Sequence, residues 1–427
     1  MKRDRTPKNN ELENSLKSDL LGRNIYLRNL IGMIPTISEH TVLALDGRWG
    51  SGKTFFIKQL EYLINNPNNN YTNIDSHSVS KLNELFSFFY FNAWENDHLP
   101  PVEAILLQLS DQLWNNEEKL GNKALGIIKG ITNIPIKYFS GGSADLESFK
   151  STYLSAYIER AKHISKTNEE INNLLHNHRE NTGKKVLFII DDLDRCKPTF
   201  AVELLETIKH NFNNDNAVFI ICANNEQLQY TIKKYYGESF NGYEYLDRFY
   251  DLVINLPEPD VERYIKYGLR LEDSDYWHNQ IAIDIAKIDH MSLRQANRYI
   301  SNLILLEDFI KSQNLNLGVT SENYVKSVFV QIATALKILD KKKFDDFTTG
   351  NGEYILNEYY QKSDEIRSFA QTNKGNELPI KTQYLEFFNT RSSYNPDREL
   401  FRKAISSIGF STIIDEEPDE NDGSHDD

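Results

Sequence analysis

The sequence predicts an α/β fold, with a mainly parallel central sheet flanked by helices, followed by a helical lid and a helical C-terminal region. Short apolar runs at Thr41–Leu45, Val186–Ile190 and Ala217–Cys222 predict strands. Val186–Ile190 has no polar alternation, as expected for a central parallel strand that is covered on both faces. Amphipathic stretches with helical spacing separate these runs, and a glycine-rich turn follows the first of them. Together these patterns indicate alternating strands and helices.

The glycine-rich turn has the composition of a phosphate-binding P-loop. Gly47–Thr54 reads Gly-Arg-Trp-Gly-Ser-Gly-Lys-Thr and precedes an apolar-periodic helix at Phe55–Ile64. Its glycines let the backbone curl until consecutive N–H groups point at a polyphosphate. Lys53 then reaches the β and γ phosphates, and Thr54 offers a hydroxyl to Mg²⁺. The predicted nucleotide-binding residues of this segment are Gly47, Arg48, Trp49, Gly50, Ser51, Gly52, Lys53, Thr54 and Phe55.

A second motif begins where the predicted central strand ends. Asp191 and Asp192 follow the strand at once, and Asp194 comes two residues later. Ligands of parallel sheets bind beyond the carboxyl ends of the strands, so we expect these acids beside the P-loop. One carboxylate can hold Mg²⁺ through water, and another can orient or deprotonate the attacking water. We assign Asp191 to the metal and Asp192 to the water, with Asp194 as the competing residue for the water.

The combined motifs resemble the KAP family of P-loop NTPases over roughly Asp19–Leu305. The distinctive pieces are Phe-Asn-Ala-Trp at Phe91–Trp94 and Asp-Asp-Leu-Asp-Arg-Cys at Asp191–Cys196, since the P-loop recurs in many NTPases. Asn92 and Trp94 are further candidates for the site. For Trp94 we favour core packing, because large aromatic residues mostly serve burial. Two other segments agree with the family pattern, Leu21–Tyr26 and Tyr245–Pro257.

The resemblance implies an ATPase that binds ATP with Mg²⁺, hydrolyses it slowly and acts as a nucleotide-dependent switch. Bacterial relatives of this kind are often associated with defence against phage or mobile DNA. The implied partners are further copies of the chain, a separately encoded effector protein, or both. Adenine is favoured over guanine by kinship and because no Asn/Thr-Lys-x-Asp motif stands out.

Resemblance to related NTPases also suggests roles for residues outside the two motifs. Arg23 and Tyr26 lie where relatives contact the base, although a solvated helix face is an alternative. Asn224 follows the strand Ala217–Cys222, where relatives sense the γ phosphate; its alternative role is as the N-cap of the next helix. Arg248 occupies a position where relatives place an arginine at a subunit or domain boundary, and a surface salt bridge is the alternative.

The lid carries one more candidate arginine. Arg294 and Arg298 are one turn apart on one face of a predicted helix, so this helix can present a guanidinium to the phosphates. We favour Arg294.

The remaining elements follow from periodicity and turn composition. The predicted helices outside the P-loop are Leu20–Ile34, Glu103–Trp114, Leu146–Ile164, most of Thr167–Gly183, Phe200–His210, Gln227–Tyr236, Tyr324–Lys341 and Pro379–Phe388. An aromatic strand is expected at Leu85–Phe91, an exposed loop at Asn65–Asn70 and a flexible connection at Ser140–Ser143. The predicted organisation is a polar tail at 1–18, a nucleotide-binding core at 19–262 with a helical insertion at about 100–180, a lid at 263–310, a helical region at 311–414 and an acidic disordered tail at 415–427.

Composition sets limits on localisation and partners. The formal charge is −14, and eight acids in Asp415–Asp427 account for much of it, leaving about −6 on the rest. Such a surface argues against broad nucleic-acid binding without excluding a local basic groove. Cys196 and Cys222 are not at metal-ligand spacing and predict buried thiols in a reducing cytoplasm. Neither a secretory leader nor a run of membrane-spanning length is expected.

Three function classes stay open at this point. The first is a switch ATPase that oligomerises or gates a partner. The second is a nucleic-acid motor or loader, whose hydrolysis nucleic acid would stimulate with steep salt dependence. The third is a scaffold that holds nucleotide without turnover. A fused nuclease or protease effector has no support from sequence motifs.

Overall fold

The computed structural model of the chain describes residues 7–114, 118–132, 166–269, 276–312, 321–372 and 380–388. The chain divides into two compact units between Asp260 and Val261. The connection predicted at Ser140–Ser143, the helix predicted at Leu146–Ile164 and the acidic tail lie outside the described residues. Among the described residues, no helix combines the length and hydrophobicity needed to cross a bilayer.

The described residues of the first unit include a sheet of five parallel strands in the order β2-β3-β4-β1-β5. The strands are β1 (Thr41–Asp46), β2 (Phe86–Asn92), β3 (Lys185–Asp191), β4 (Ala217–Ala223) and β5 (Leu252–Asn255). This sheet confirms the predicted α/β class and the strands expected from the apolar runs. The sequence did not give the strand order, in which β4 separates the P-loop strand β1 from the acidic strand β3.

Helices cover both faces of the sheet, which explains why β3 and β4 are apolar along most of their length. Alternate strand residues belong to opposite cores: Leu187 and Ile189 pack on one face, Phe188 and Ile190 on the other. The helices of the first unit are α1 (Asn9–Ser18), α2 (Asn24–Met33), α3 (Lys53–Asn65), α4 (Ser76–Leu85), α5 (Pro101–Gln112), α6 (Glu118–Thr132), α7 (residues 166–182), α8 (Pro198–Asn211), α9 (Asn225–Tyr236) and α10 (Gly242–Asp247).

The N-terminal segment differs from the predicted polar tail. Residues Asn9–Ser18 form α1, whose Leu12 and Leu16 are buried in the core that also contains α3. Gln59 of α3 donates a hydrogen bond to Ser15 at 3.3 Å. Two leucines four residues apart are enough to dock one face of a short helix, and the polar composition of the other face hid this pattern.

The second unit is helical throughout its described residues. Its helices are α11 (Val261–Gly268), α12 (Tyr276–Ile288), α13 (Leu293–Ser312), α14 (Ser321–Leu339), α15 (Lys341–Thr348), α16 (Glu353–Lys362), α17 (Asp364–Thr372) and α18 (Ile380–Phe388). The sequence predicted a lid and a separate C-terminal region here. Instead, side chains of both regions share one core, in which Ile285 and Tyr299 belong to the same cluster as Phe329 and Tyr384.

Candidate functional site

The P-loop joins β1 to α3 at the carboxyl edge of the sheet. Gly50 and Gly52 have φ values of +78° and +95°, a backbone region that residues with a side chain rarely adopt. A Cβ atom on Gly47 would lie 2.9 Å from the Ser51 hydroxyl, so a side chain at this position would force Ser51 to move. Helix α3 begins at Lys53, directly after the curl. The loop therefore has the backbone geometry that its sequence predicted.

Lys53 lies inside the curl of the P-loop. Its side chain is only 8% exposed, and its ammonium group donates hydrogen bonds to the carbonyl oxygens of Gly47 at 2.5 Å and Arg48 at 3.4 Å. Both acceptors are neutral backbone carbonyls, so neither of them offsets the positive charge of the ammonium group. That charge is placed where a polyphosphate in the loop would meet it.

Arg23 has a position that differs from the predicted contact with a base. It is 1% exposed, and its guanidinium donates to the Ser51 carbonyl at 2.8 Å and to the Pro257 carbonyl. Burial lowers the pKa of Arg23 to about 10, opposed by the Glu258 carboxylate, so the group stays charged at neutral pH. Arg23 therefore ties the P-loop to the segment after β5. Tyr26, in contrast, is exposed on α2.

We expect Arg23→Lys to lower the stability of the protein by about 2 kcal/mol, because one ammonium cannot hold two carbonyls as the planar guanidinium does. Nucleotide affinity should fall about tenfold as the loop loses this restraint. Denaturation and a fluorescent-nucleotide titration would measure the two effects. Arg28→Lys is the matched control, since Arg28 is exposed on α2, the helix whose N-cap is Arg23. Wild-type affinity and stability in Arg23→Lys would contradict the clamp.

The three acids at the end of β3 and in the turn that follows it have different environments. Asp191 is 1% exposed; its Oδ1 accepts from the backbone N–H of Asp192 at 2.9 Å, and its Oδ2 accepts from the Tyr90 hydroxyl at 3.1 Å. Asp192 has a left-handed backbone with φ of +58°, and its carboxylate pairs with the Arg195 Nε at 3.1 Å. Asp194 is buried, and its carboxylate accepts a hydrogen bond from the Trp49 indole N–H.

The contact between Trp49 and Asp194 joins the P-loop directly to the acidic turn. It crosses the end of β4, which lies between the strands that carry the two motifs. Two more hydrogen bonds fix the same region: Gly47 N–H donates to the Ala223 carbonyl at 3.3 Å, and Asn225 N–H donates to the Asp46 carboxylate at 2.9 Å. The ends of β1, β3 and β4 therefore form one connected edge.

Asn224 follows β4 at this edge and is the N-cap of α9. Its side-chain oxygen accepts from the Gln227 N–H at 3.3 Å, which is the alternative role that the sequence allowed. The neighbouring Asn225 accepts a hydrogen bond from the Tyr250 hydroxyl at 3.2 Å. Burial raises the pKa of Tyr250, so this hydroxyl stays a neutral donor. The Asn224 oxygen is thus engaged in the helix cap.

Arg248 lies at the amino ends of the strands, on the side of the sheet opposite the P-loop. It caps the end of α10, just before β5 begins, and it lines a cavity with His40 and Asp251. The Asp251 carboxylate accepts from the N–H of Val42, which places this cavity beside the start of β1. The length of six-residue β1, roughly 17 Å, therefore separates Arg248 from the P-loop of its own chain.

Arg294 and Arg298 are both exposed near the start of α13, in the second unit. Their role in presenting a guanidinium to the phosphates stays a prediction.

Trp94 is not a core residue, so the expected burial is wrong. It is 51% exposed, and the Arg195 guanidinium lies 5.7 Å from the centre of its ring. The turn after β2 projects the side chain away from the sheet, and the apolar positions before it fill the core instead. Asn92 lies beside Asp191 in the strand register, and its side chain accepts from the Glu95 N–H at 3.2 Å.

Tyr90 is a site residue that sequence reasoning missed. It lies in the predicted aromatic strand, where one tyrosine among phenylalanines gave no sign of its hydrogen bond to Asp191. Burial and the nearby Asp191 carboxylate raise its pKa. The two cysteines are buried as predicted, and burial raises the pKa of each thiol, which makes both poor nucleophiles.

The chain matches a known protein family. The family described as the KAP family P-loop domain matches residues 23–315, which include the P-loop, the acidic turn and α13. No curated protein matches the chain.

Proposed function

Because the chain belongs to the KAP family of P-loop NTPases, we propose that it binds ATP with Mg²⁺ and hydrolyses it slowly. The ATP-bound and ADP-bound states would then be the two positions of a switch. One observation carries the hydrolytic part of this proposal. The Trp49 indole reaches from the P-loop to the Asp194 carboxylate, so acids and phosphate-binding loop meet at one edge of the sheet. A scaffold that only holds nucleotide needs the loop, but it has no need of buried acids in contact with it.

The residues at this edge fit Mg²⁺ in its usual nucleotide-bound form. Thr54 supplies a hydroxyl at the start of α3, and Asp191 a buried carboxylate that two donors hold in place. Among the described residues, no three His, Cys, Asp or Glu side chains gather as a metal cage. Mg²⁺ commonly binds with one or two protein ligands, several waters and phosphate oxygens, so it would complete its shell from the nucleotide. The ion would neutralise charge on the β and γ phosphates.

Asp194 supports the water-orienting role better than Asp192. The Asp192 carboxylate is held by Arg195, whereas the Asp194 carboxylate extends to the P-loop itself. A base must come within hydrogen-bond reach of the attacking water, directly or through one intervening water. We therefore assign the role of orienting the attacking water to Asp194 instead of Asp192. Lys53 then stabilises charge on the transferring phosphate.

The position of Arg248 favours an assembly of several copies. Within one chain it lies at the far edge of the sheet, so it could stabilise phosphate charge only on a neighbouring copy. A homo-oligomer formed in the ATP-bound state would bring Arg248 to the nucleotide of a neighbouring copy, and hydrolysis would break this contact. Control of a separately encoded effector and a role in phage defence rest on family resemblance alone.

Sizing of the purified protein with ADP, ATP and a non-hydrolysable ATP analogue, each with Mg²⁺, tests the switch. We expect larger particles with ATP or the analogue than with ADP, together with steady phosphate release from ATP. The same release assay with added DNA and RNA tests the motor alternative. Identical size in all nucleotides would overturn the switch, and release that rises steeply with nucleic acid would favour a motor instead.

A further inference from the structure

Tyr90 connects the edge strand of the sheet to the carboxylate expected to hold the metal. Its hydroxyl donates to Asp191 Oδ2 at 3.1 Å, from the strand next to β3. Asn92, not Tyr90, is the direct register partner of Asp191, so the tyrosine reaches diagonally along the sheet. A side chain of this length is suited to such a diagonal contact.

Lys58 holds the ring of Tyr90 from the P-loop helix. Its ammonium lies 3.5 Å from the ring centre, within the range of a cation–π contact, and it also pairs with Glu61 at 2.7 Å. Helix α3 carries Lys58 and begins with Lys53 and Thr54. The helix that offers the metal a hydroxyl therefore also contacts the residue that orients the metal's carboxylate.

The hydrogen bonds of Asp191 leave room for a hydrated ion. Each carboxylate oxygen of Asp191 has two lone pairs, and each oxygen accepts one hydrogen bond here. One lone pair per oxygen is left for metal-bound water. Of the two hydrogen bonds that the described residues make to this carboxylate, loss of the Tyr90 hydroxyl would leave the one from the backbone N–H of Asp192, and the carboxylate could then rotate about its last bond.

We propose that Tyr90 is a positioning residue for the magnesium-binding carboxylate and that Lys58 in turn positions Tyr90. This inference rests on the proposed function, because it assumes that Asp191 holds the metal. Partners that orient a ligand through hydrogen bonds typically contribute 10- to 100-fold to metal affinity. Removing the Tyr90 hydroxyl should therefore weaken metal binding and leave nucleotide binding without metal unchanged.

The test compares Tyr90→Phe with wild type in two binding measurements. Mn²⁺ bound in the presence of a non-hydrolysable ATP analogue is measured by electron paramagnetic resonance, and analogue affinity is measured with Mg²⁺ and with EDTA. We expect roughly tenfold or greater weakening of Mn²⁺ binding and of the Mg²⁺-dependent affinity. Affinity in EDTA should stay within about twofold of wild type, because the P-loop contacts are unchanged. Lys58→Met should weaken Mn²⁺ binding by a smaller factor, about threefold.

Tyr71→Phe is the matched control. Tyr71 is a buried tyrosine of the same unit whose hydroxyl accepts from Asn69 at 3.1 Å, away from the acids. The Tyr71→Phe variant should bind Mn²⁺ as tightly as the wild type. Mn²⁺ binding by Tyr90→Phe at wild-type strength would overturn this inference alone. A wild-type protein whose analogue affinity does not respond to Mg²⁺ would overturn the metal assignment of the proposed function, and this inference with it.

Discussion

Phosphate release from ATP is expected to fall at least about 100-fold when Lys53 is replaced by alanine, because a preorganised charge in the P-loop is lost. The ammonium lies within the loop before any ligand arrives, held by the Gly47 and Arg48 carbonyls. Little reorganisation is then needed when phosphates enter. The measurement is steady-state phosphate release, combined with a titration of the non-hydrolysable analogue.

Lys81→Ala is the control for this variant, since Lys81 is exposed on α4. It should release phosphate like the wild type. If Lys53→Ala kept wild-type release, the activity would have to come from a contaminant or from another site, and the P-loop assignment would fail. A circular dichroism spectrum equal to that of wild type would show that the variant is folded.

The second large effect is expected at Asp194. Asp194→Asn should lower hydrolysis at least about 100-fold while nucleotide affinity stays within a few-fold of wild type, because a positioned base is lost and the P-loop is not. Asparagine keeps an oxygen that can accept the Trp49 N–H, so the change removes charge rather than the contact. Single-turnover hydrolysis and nucleotide titration measure the two quantities. The nucleotide-loaded assembly should also persist.

Asp192→Asn is the companion variant, with the same chemical change two residues away. Asparagine tolerates the left-handed backbone at this position, so the turn should stay intact. The loss of the Arg195 ion pair should reduce hydrolysis by less than about tenfold, since a partly exposed pair contributes little. The opposite ranking, with Asp192→Asn the more damaging variant, would restore the original assignment of the water to Asp192.

Sequence reasoning predicted those parts of the molecule that depend on local pattern. Strands β3 and β4 contain continuous apolar runs, and the P-loop places glycine where the backbone needs positive φ. Both signals come from neighbouring residues, so they can be recognised without knowing the fold. The same holds for the burial of Cys222, which lies within such a run.

Contacts between residues far apart in sequence could not be predicted in this way. Arg23 and Ser51 are 28 residues apart in sequence, and Trp49 and Asp194 are 145 residues apart, so the folded sheet is needed to show that they are neighbours. Charged and aromatic residues at a surface have many possible partners, and composition does not choose among them. Arg23, for example, appeared as a ligand contact from its motif and is in fact a buried clamp on backbone carbonyls.

The common core of α12, α13 and α14 limits how this protein can be divided or recombined. Ile285, Tyr299 and Phe329 pack in one cluster, so cutting the chain after the predicted lid would leave apolar surface on both fragments. An isolated nucleotide-binding fragment should therefore end near Asp260. In the same way, a chimera that takes its C-terminal helices from a relative should exchange the whole segment from Val261 onward, because this segment forms one core.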